Sequence, residues 1–185
     1  MPAPNFLRNF YFLRAGVAAV WVALAFTVGV KNPAIGALLL VLYPAWDALA
    51  NLIDARANGG LRANLTQTTN LGISLIATAA MIAGAIQLGI HFMIGVFGVW
   101  AVLAGLFQLL TALRRWKTAG AQWAMILSGA QSILAGVFFT IMSQGTADLS
   151  IATVAGYAGF GAFYFLVSAV WLTVASYRTS QKAAA

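Results

Sequence analysis

Three polar residues stand out in an apolar stretch near position 50. Asp47, Asn51 and Asp54 lie at i, i+4 and i+7, so a helix places them on one face. If this helix crosses a membrane, each carboxylate costs about 2.5–3.5 kcal/mol to insert and is expected to face the bundle interior. Such a stripe can accept a proton, bind a cation or form an ion pair.

Arg14 is the basic residue best placed to pair with this stripe. If the chain turns back at Lys31 and Asn32, Arg14 falls level with the residues between Asp47 and Asp54, within about one helical turn of both acids. Two interpretations stay open: a proton- or cation-binding pair with a functional role, and a structural ion pair that fixes the first hairpin. An arginine near a helix end is also a common membrane-interface anchor.

Uncharged polar residues form a second set. Gln67, Asn70 and Ser74 share one side of a predicted helix, and the other candidates for interhelical hydrogen bonds are Gln108, Ser128, Gln131 and Ser132. These side chains either line a hydrated path or bond neighbouring helices together, a contact worth about 0.6–2 kcal/mol in membranes.

The elements that position these residues follow from the composition. Hydrophobic residues make up 62% of the 185 residues and charged residues only 7%, against roughly 45–50% and 25% in soluble chains. So few charges cannot cover a water-facing surface, so a soluble globular protein is excluded and an all-α polytopic membrane protein is predicted. The chain has no cysteine, which excludes disulfides, thiol catalysis and thiolate metal sites.

Six stretches are long enough to cross the hydrocarbon core, which needs about 20 apolar residues. The predicted spans are Tyr11 to Val30, Ala34 to Ile53, Thr68 to Gln87, Met93 to Leu113, Ala121 to Met142 and Ile151 to Val174. The break near Gly89 is the weakest; without a turn there, the third and fourth spans would merge into a helix too long for one crossing.

Basic residues predict the orientation, because Lys and Arg in short loops stay on the cytoplasmic side. Nine of the ten fall on one predicted side and only Lys31 on the other. Both termini are therefore expected in the cytoplasm. The net charge of +7 is explained by this distribution, so membrane lipids are expected as partners and nucleic acid is not.

The odd-numbered spans share a glycine that recurs at Gly16, Gly72 and Gly129, and even spans end at Arg56, Arg114 and Arg178. This repeat predicts three hairpins of the same topology, at about 10–56, 66–115 and 120–178, in a single membrane domain covering 1–185. Further glycines in small-residue ridges are Gly136, Gly156 and Gly159. We expect all six glycines to serve close helix packing.

The segments Gly95 to Arg114 and Ile126 to Val137 resemble the paired segments of the HdeD-type acid-resistance membrane proteins. Asp47 stands where that family often has aspartate followed by glycine, although Ala48 follows here. The resemblance implies a six-span bacterial inner-membrane protein connected with survival in acid. It implies no catalytic residues.

Two functions remain open at this stage. The first is a non-enzymatic stress or acid-resistance scaffold that contacts other membrane proteins or a second copy of itself, without cofactor or metal. The alternative is a small transporter or channel for a proton, ion or small solute that uses Asp47. A transport path needs a continuous polar face, and only the second predicted helix carries acids.

Overall fold

The computed structural model describes residues 5–184, without the side chains of 179, 180 and 182–184. Lys182, one of the nine basic residues counted above, lies among those side chains. Within the described range the chain is all-helical, with 86% helix and no strand. This agrees with the all-α prediction.

Six α-helices follow one another along the chain. They are α1 (Phe6–Leu24), α2 (Pro33–Ala57), α3 (Leu65–Ala83), α4 (Gly89–Arg114), α5 (Gln122–Met142) and α6 (Ala152–Ala184). The helices α1 and α3 each continue into a π-helical turn, at Ala25–Gly29 and Gly84–Leu88. The largest difference from the predicted spans is in α6, which runs ten residues beyond Val174.

The turns between helices have local causes. The Asn32 side-chain oxygen accepts hydrogen bonds from the amides of Ala34 and Ile35 at 3.0 and 3.2 Å, and Pro33 occupies the first position of α2, a favourable start for a helix. After α2, Gly59 and Gly60 take φ of 98° and 94°, a conformation that favours glycine.

Gly89 reverses the chain between α3 and α4. Its φ of 77° and ψ of −175° interrupt the helix, and the Trp100 indole of α4 then donates to Ser74 Oγ of α3 at 2.9 Å. By length and composition five helices are apolar enough to cross a membrane, and one of them is the 50-residue stretch Leu65–Arg114. A straight helix of that length would measure about 75 Å, so the reversal divides it into two antiparallel helices.

The closest packing joins helices from different hairpins rather than the two helices of one hairpin. The pairs α4 with α5, α1 with α6, and α2 with α3 form the largest interfaces. The backbones of α1 and α2 come close at few positions, and these helices meet through side chains, as where Trp21 packs on Tyr43. The predicted hairpins therefore describe the order of the chain, and the tightest contacts are made between them.

Four glycines bring α4 and α5 together. A Cβ on Gly136 would lie 2.5 Å from the Gly98 carbonyl oxygen, and one on Gly105 would lie 2.7 Å from that of Gly129. No side chain fits at these positions, so the two backbones are in direct contact. Gly129 and Gly136 thus occupy close helix contacts, as the sequence suggested.

The other four glycines selected from the sequence do not lie in such contacts. A Cβ on Gly16, Gly72, Gly156 or Gly159 would meet no atom within 4 Å. Their recurrence at equivalent repeat positions does not correspond to close packing here, because each points into open space. Close helix packing is provided instead by Gly98 and Gly105 of α4, which face Gly136 and Gly129 of α5.

The bundle has a basic end, and the half that lies away from this end is apolar. We call the end where α1 begins and α2 ends the basic end; it carries Arg8, Arg14, Arg56, Arg62, Arg114, Arg115 and Lys117. The opposite half holds a cluster of aromatic rings with centroids 4.7–6.0 Å apart, made of Trp21, Tyr43, Phe97, Trp100, Phe139 and Tyr157. Leu40, Met81 and Ile94 beside it are 0% exposed.

Candidate functional site

Asp47 is the centre of a buried hydrogen-bond network. Its Oδ1 accepts a charge-assisted bond from Arg14 Nη2 at 2.6 Å. Its Oδ2 accepts from Asn51 Nδ2 at 3.0 Å, Asn70 Nδ2 at 3.0 Å and Ser74 Oγ at 2.9 Å. Four donors from three helices thus converge on one carboxylate, which compensates the cost of burying its charge.

Arg14 of α1 reaches across to α2, whose backbone comes close to that of α1 at few positions. Its guanidinium carbon lies 4.3 Å from the centre of the Phe165 ring of α6, within the range of a cation–π interaction. Arg14 therefore ties α1 to both α2 and α6. The predicted pairing of Arg14 with Asp47 is present in the structure.

Asp54 forms a second ion pair about two turns further toward the basic end. Arg115, which directly follows α4, places Nη2 3.0 Å from Asp54 Oδ2 and donates from Nη1 to Oδ1 at 3.3 Å. Gln67 Nε2 donates to Oδ2 at 3.0 Å, and Asn58 Nδ2 donates to Oδ1 at 2.8 Å. The acidic stripe of α2 is thus neutralised by one arginine at each carboxylate.

The polar face of α3 belongs to the same network. Gln67 contacts Asp54, while Asn70 and Ser74 contact Asp47. All three are buried. The sequence placed these residues on one side of α3 but not opposite the acids. The α2–α3 interface is therefore polar along its buried face.

Arg115 is a site residue that the sequence interpretation missed. The sequence placed it only among the nine basic residues of the predicted cytoplasmic side, yet its side chain is only 18% exposed and pairs with Asp54. Arg114, one position earlier, is exposed. The apolar run of α4 ends before both arginines, so hydropathy gave no signal that separates them.

The remaining sequence candidates lie on α4 and α5. Gln108 Nε2 donates to the Met125 carbonyl at 3.2 Å, and Ser132 Oγ shares a hydrogen bond of 2.8 Å with Tyr157 Oη. These two make the interhelical bonds expected of them. Ser128 is buried and faces the cavity described next. Gln131 is half-buried and does not line that cavity.

An interior cavity of about 100 Å³ adjoins both ion pairs. All six helices contribute to its wall, and its polar lining includes Arg14, Asp47, Asn70, Gln108, Ser128 and Ser132. A cavity holds a water once it offers roughly 10–15 Å³, so this one has room for several waters or one small solute. Its polar lining stops at the aromatic cluster, where Tyr43, Trp100 and Tyr157 form part of the wall.

Both buried carboxylates of this site are neutralised by arginines. Each carboxylate already accepts bonds from an arginine and from amide or hydroxyl donors, and no histidine or cysteine lies among the cavity residues. Within the described part of the chain, no group of three His, Cys, Asp or Glu residues is placed to hold a metal ion. A network of this kind can pair helices structurally and can bind a small polar molecule.

Comparison with known proteins gives one match. Residues 70–141 match the family model described as a short repeat of unknown function (DUF308), a family that includes HdeD-like membrane proteins. This range covers most of α3, all of α4 and most of α5, including the glycine contacts. The comparison with curated proteins found no match, and the comparison with solved structures also found none. The apolar helices and the family match together define a multi-pass membrane protein.

Proposed function

We propose that the chain is a bacterial inner-membrane protein that crosses the bilayer six times, with both termini in the cytoplasm. The reversal at Gly89 supports six crossings, because it divides the 50-residue apolar stretch into two antiparallel helices. The excess of basic residues at one end of the bundle supports the orientation.

Its proposed role is that of a non-enzymatic scaffold for other membrane components, in stress or acid resistance. Membrane lipids cover its apolar outer surface, and other membrane proteins or a second copy are the proposed partners. The resemblance to HdeD-type proteins and the match at residues 70–141 support the acid-resistance context.

One observation supports the scaffold role most directly: the buried charges are paired, and the half of the bundle beyond them is packed with apolar side chains. Asp47 and Asp54 are each paired with an arginine, and the half of the bundle beyond them is filled by aromatic rings and by apolar side chains that are 0% exposed. A proton or ion path would need polar groups through that half as well. Among the described residues, the buried polar side chains lie instead between the aromatic cluster and the basic end.

The test is proton and cation flux in proteoliposomes, combined with survival at low pH of cells that depend on this protein. The informative variant is Arg14→Gln with Asp47→Asn, which removes both charges of the pair and keeps amide groups in their places. Single neutralisation is less useful, since it leaves the partner charge buried and unpaired.

A scaffold shows no flux above that of empty vesicles, and cells carrying the double variant survive acid as well as the wild type. Protein-dependent flux that disappears in the double variant would overturn the proposal in favour of transport. Thermal unfolding of both proteins serves as the control for folding.

A further inference from the structure

Two buried hydrogen-bonding atoms beside Asp47 are left unused by the protein. Arg14 Nε and Asn70 Oδ1 have no hydrogen-bond partner among the described residues. A third buried atom without a hydrogen bond, Arg115 Nη2, is ion-paired with Asp54 Oδ2. Asn70 is only 6% exposed, and both residues line the cavity. Buried polar atoms are nearly always satisfied, so an unused donor and an unused acceptor in one cavity call for a partner.

The two atoms are held on either side of the same carboxylate. Arg14 binds Asp47 Oδ1 through Nη2, and Asn70 binds Asp47 Oδ2 through Nδ2. Because each unused atom shares a carbon with a bonded one, these hydrogen bonds fix its position. The cavity wall beside Asp47 therefore presents one unused N–H donor and one unused C=O acceptor, both oriented by their bonds to this carboxylate.

The charge of the lining determines which class of molecule fits. Arg14 and Arg115 balance Asp47 and Asp54, so an ion entering the cavity would remain uncompensated in a poorly polarisable interior. The faces of Trp100, Tyr43 and Phe165 supply apolar wall around these polar groups. An uncharged molecule with a small apolar part suits this environment.

We propose that this cavity binds a small uncharged solute in which a carbonyl and an N–H group are adjacent, as in a carboxamide. The carbonyl oxygen accepts from Arg14 Nε, and the N–H donates to Asn70 Oδ1. The volume of about 100 Å³, lined by residues of all six helices, restricts the solute to a few non-hydrogen atoms. This site is independent of the scaffold role.

Trifluoroacetamide is a suitable probe because its binding to the purified full chain in detergent is read directly by ¹⁹F NMR line broadening. Trifluoroacetate has nearly the same size and shape but carries a negative charge. The proposal predicts concentration-dependent broadening of the amide, and none of the carboxylate beyond that seen in empty micelles.

Two variants locate the binding in the cavity. Ala104→Leu fills the cavity from a lining position that makes no side-chain hydrogen bond and should abolish the broadening. Asn70→Leu removes the acceptor and should weaken binding about tenfold, equivalent to about 1.4 kcal/mol. Ala79→Leu, on the exposed side of the same helix as Asn70, is the matched control and should bind like the wild type.

Thermal unfolding of each variant verifies that it is folded, and Ala104→Leu tests the proposal even if Asn70→Leu fails to fold. Absent broadening, or equal broadening by the wild type and Ala104→Leu, would overturn the proposal and leave the cavity to water alone. Preferential binding of trifluoroacetate would also overturn it, since the site would then select an anion.

Discussion

At the scale of single residues, we expect the largest losses of unfolding free energy from substitutions in the Arg14–Asp47 ion pair. Removing one partner of a buried ion pair leaves an uncompensated charge and costs about 3–5 kcal/mol. Asp47→Ala should therefore lower the free energy of unfolding by this amount, measured by denaturant titration in mixed micelles.

The double variant Asp47→Ala with Arg14→Leu should be more stable than the Asp47→Ala single variant, because no charge is then left unpaired. The cycle is completed by Arg14→Leu alone. Additive losses over the cycle would show that the two side chains do not interact in the folded protein.

Adjacent arginines at the end of α4 offer a matched comparison. Arg115→Gln removes the partner of Asp54 and should destabilise the protein by about 2–4 kcal/mol. Arg114→Gln changes an exposed residue and should stay within about 0.5 kcal/mol of the wild type. Both are measured by the same unfolding titration. Equal losses would contradict the pairing of Asp54 with Arg115.

The sequence predicted part of this site. Helical spacing placed Asp47, Asn51 and Asp54 on one face, and the turn at Lys31 and Asn32 put Arg14 at the right depth. The contacts of Asn70 and Arg115 could not be read in this way, because they depend on which helices become neighbours and how each is rotated. Periodicity within one helix carries no such information.

At the scale of helices, the glycine contacts between α4 and α5 give a further prediction. Gly136→Ala would place a Cβ 2.5 Å from the Gly98 carbonyl oxygen, so the backbones must separate and stability should fall by about 1–3 kcal/mol. Thermal unfolding in detergent measures the loss.

The control is Gly156→Ala, where a Cβ meets no atom within 4 Å. Alanine favours a helix over glycine by about 0.5–1 kcal/mol, so this variant should match or slightly exceed the wild type. A loss at Gly156 as large as that at Gly136 would contradict the assignment of close packing to α4 and α5.

The sequence contains a pattern that predicts these contacts, and it differs from the repeat of Gly16, Gly72 and Gly129. Gly98 and Gly105 are seven residues apart in α4, as are Gly129 and Gly136 in α5, and equal spacing on consecutive helices predicts two facing contacts. The repeat predicts contacts at Gly16 and its equivalents Gly72 and Gly129, of which only Gly129 makes one. Recurrence identifies related positions, whereas packing depends on what lies opposite each of them.

At the scale of the whole molecule, the structure combines a polar, basic half with an apolar half closed by aromatic rings. The all-helical class and nearly all helix positions followed from hydropathy, because runs of apolar residues define them directly. The order of helices around the bundle did not follow, since α1 packs more closely on α6 than on α2. That arrangement rests on contacts between hairpins.

Side-specific thiol labelling tests the topology and the closed half together. The chain has no cysteine, so single substitutions with cysteine can be read without background, using a membrane-impermeant maleimide on intact cells and on inverted vesicles. The positions are Thr118 in the connection after α4, Ala147 in the connection after α5, and Ser128 in the cavity.

Six crossings with a closed outer half predict that Ala147→Cys reacts in intact cells and that Thr118→Cys reacts only in inverted vesicles. Ser128→Cys should not react in intact cells, because the aromatic cluster separates the cavity from the outer side. Labelling of Thr118→Cys or Ser128→Cys in intact cells would contradict the account.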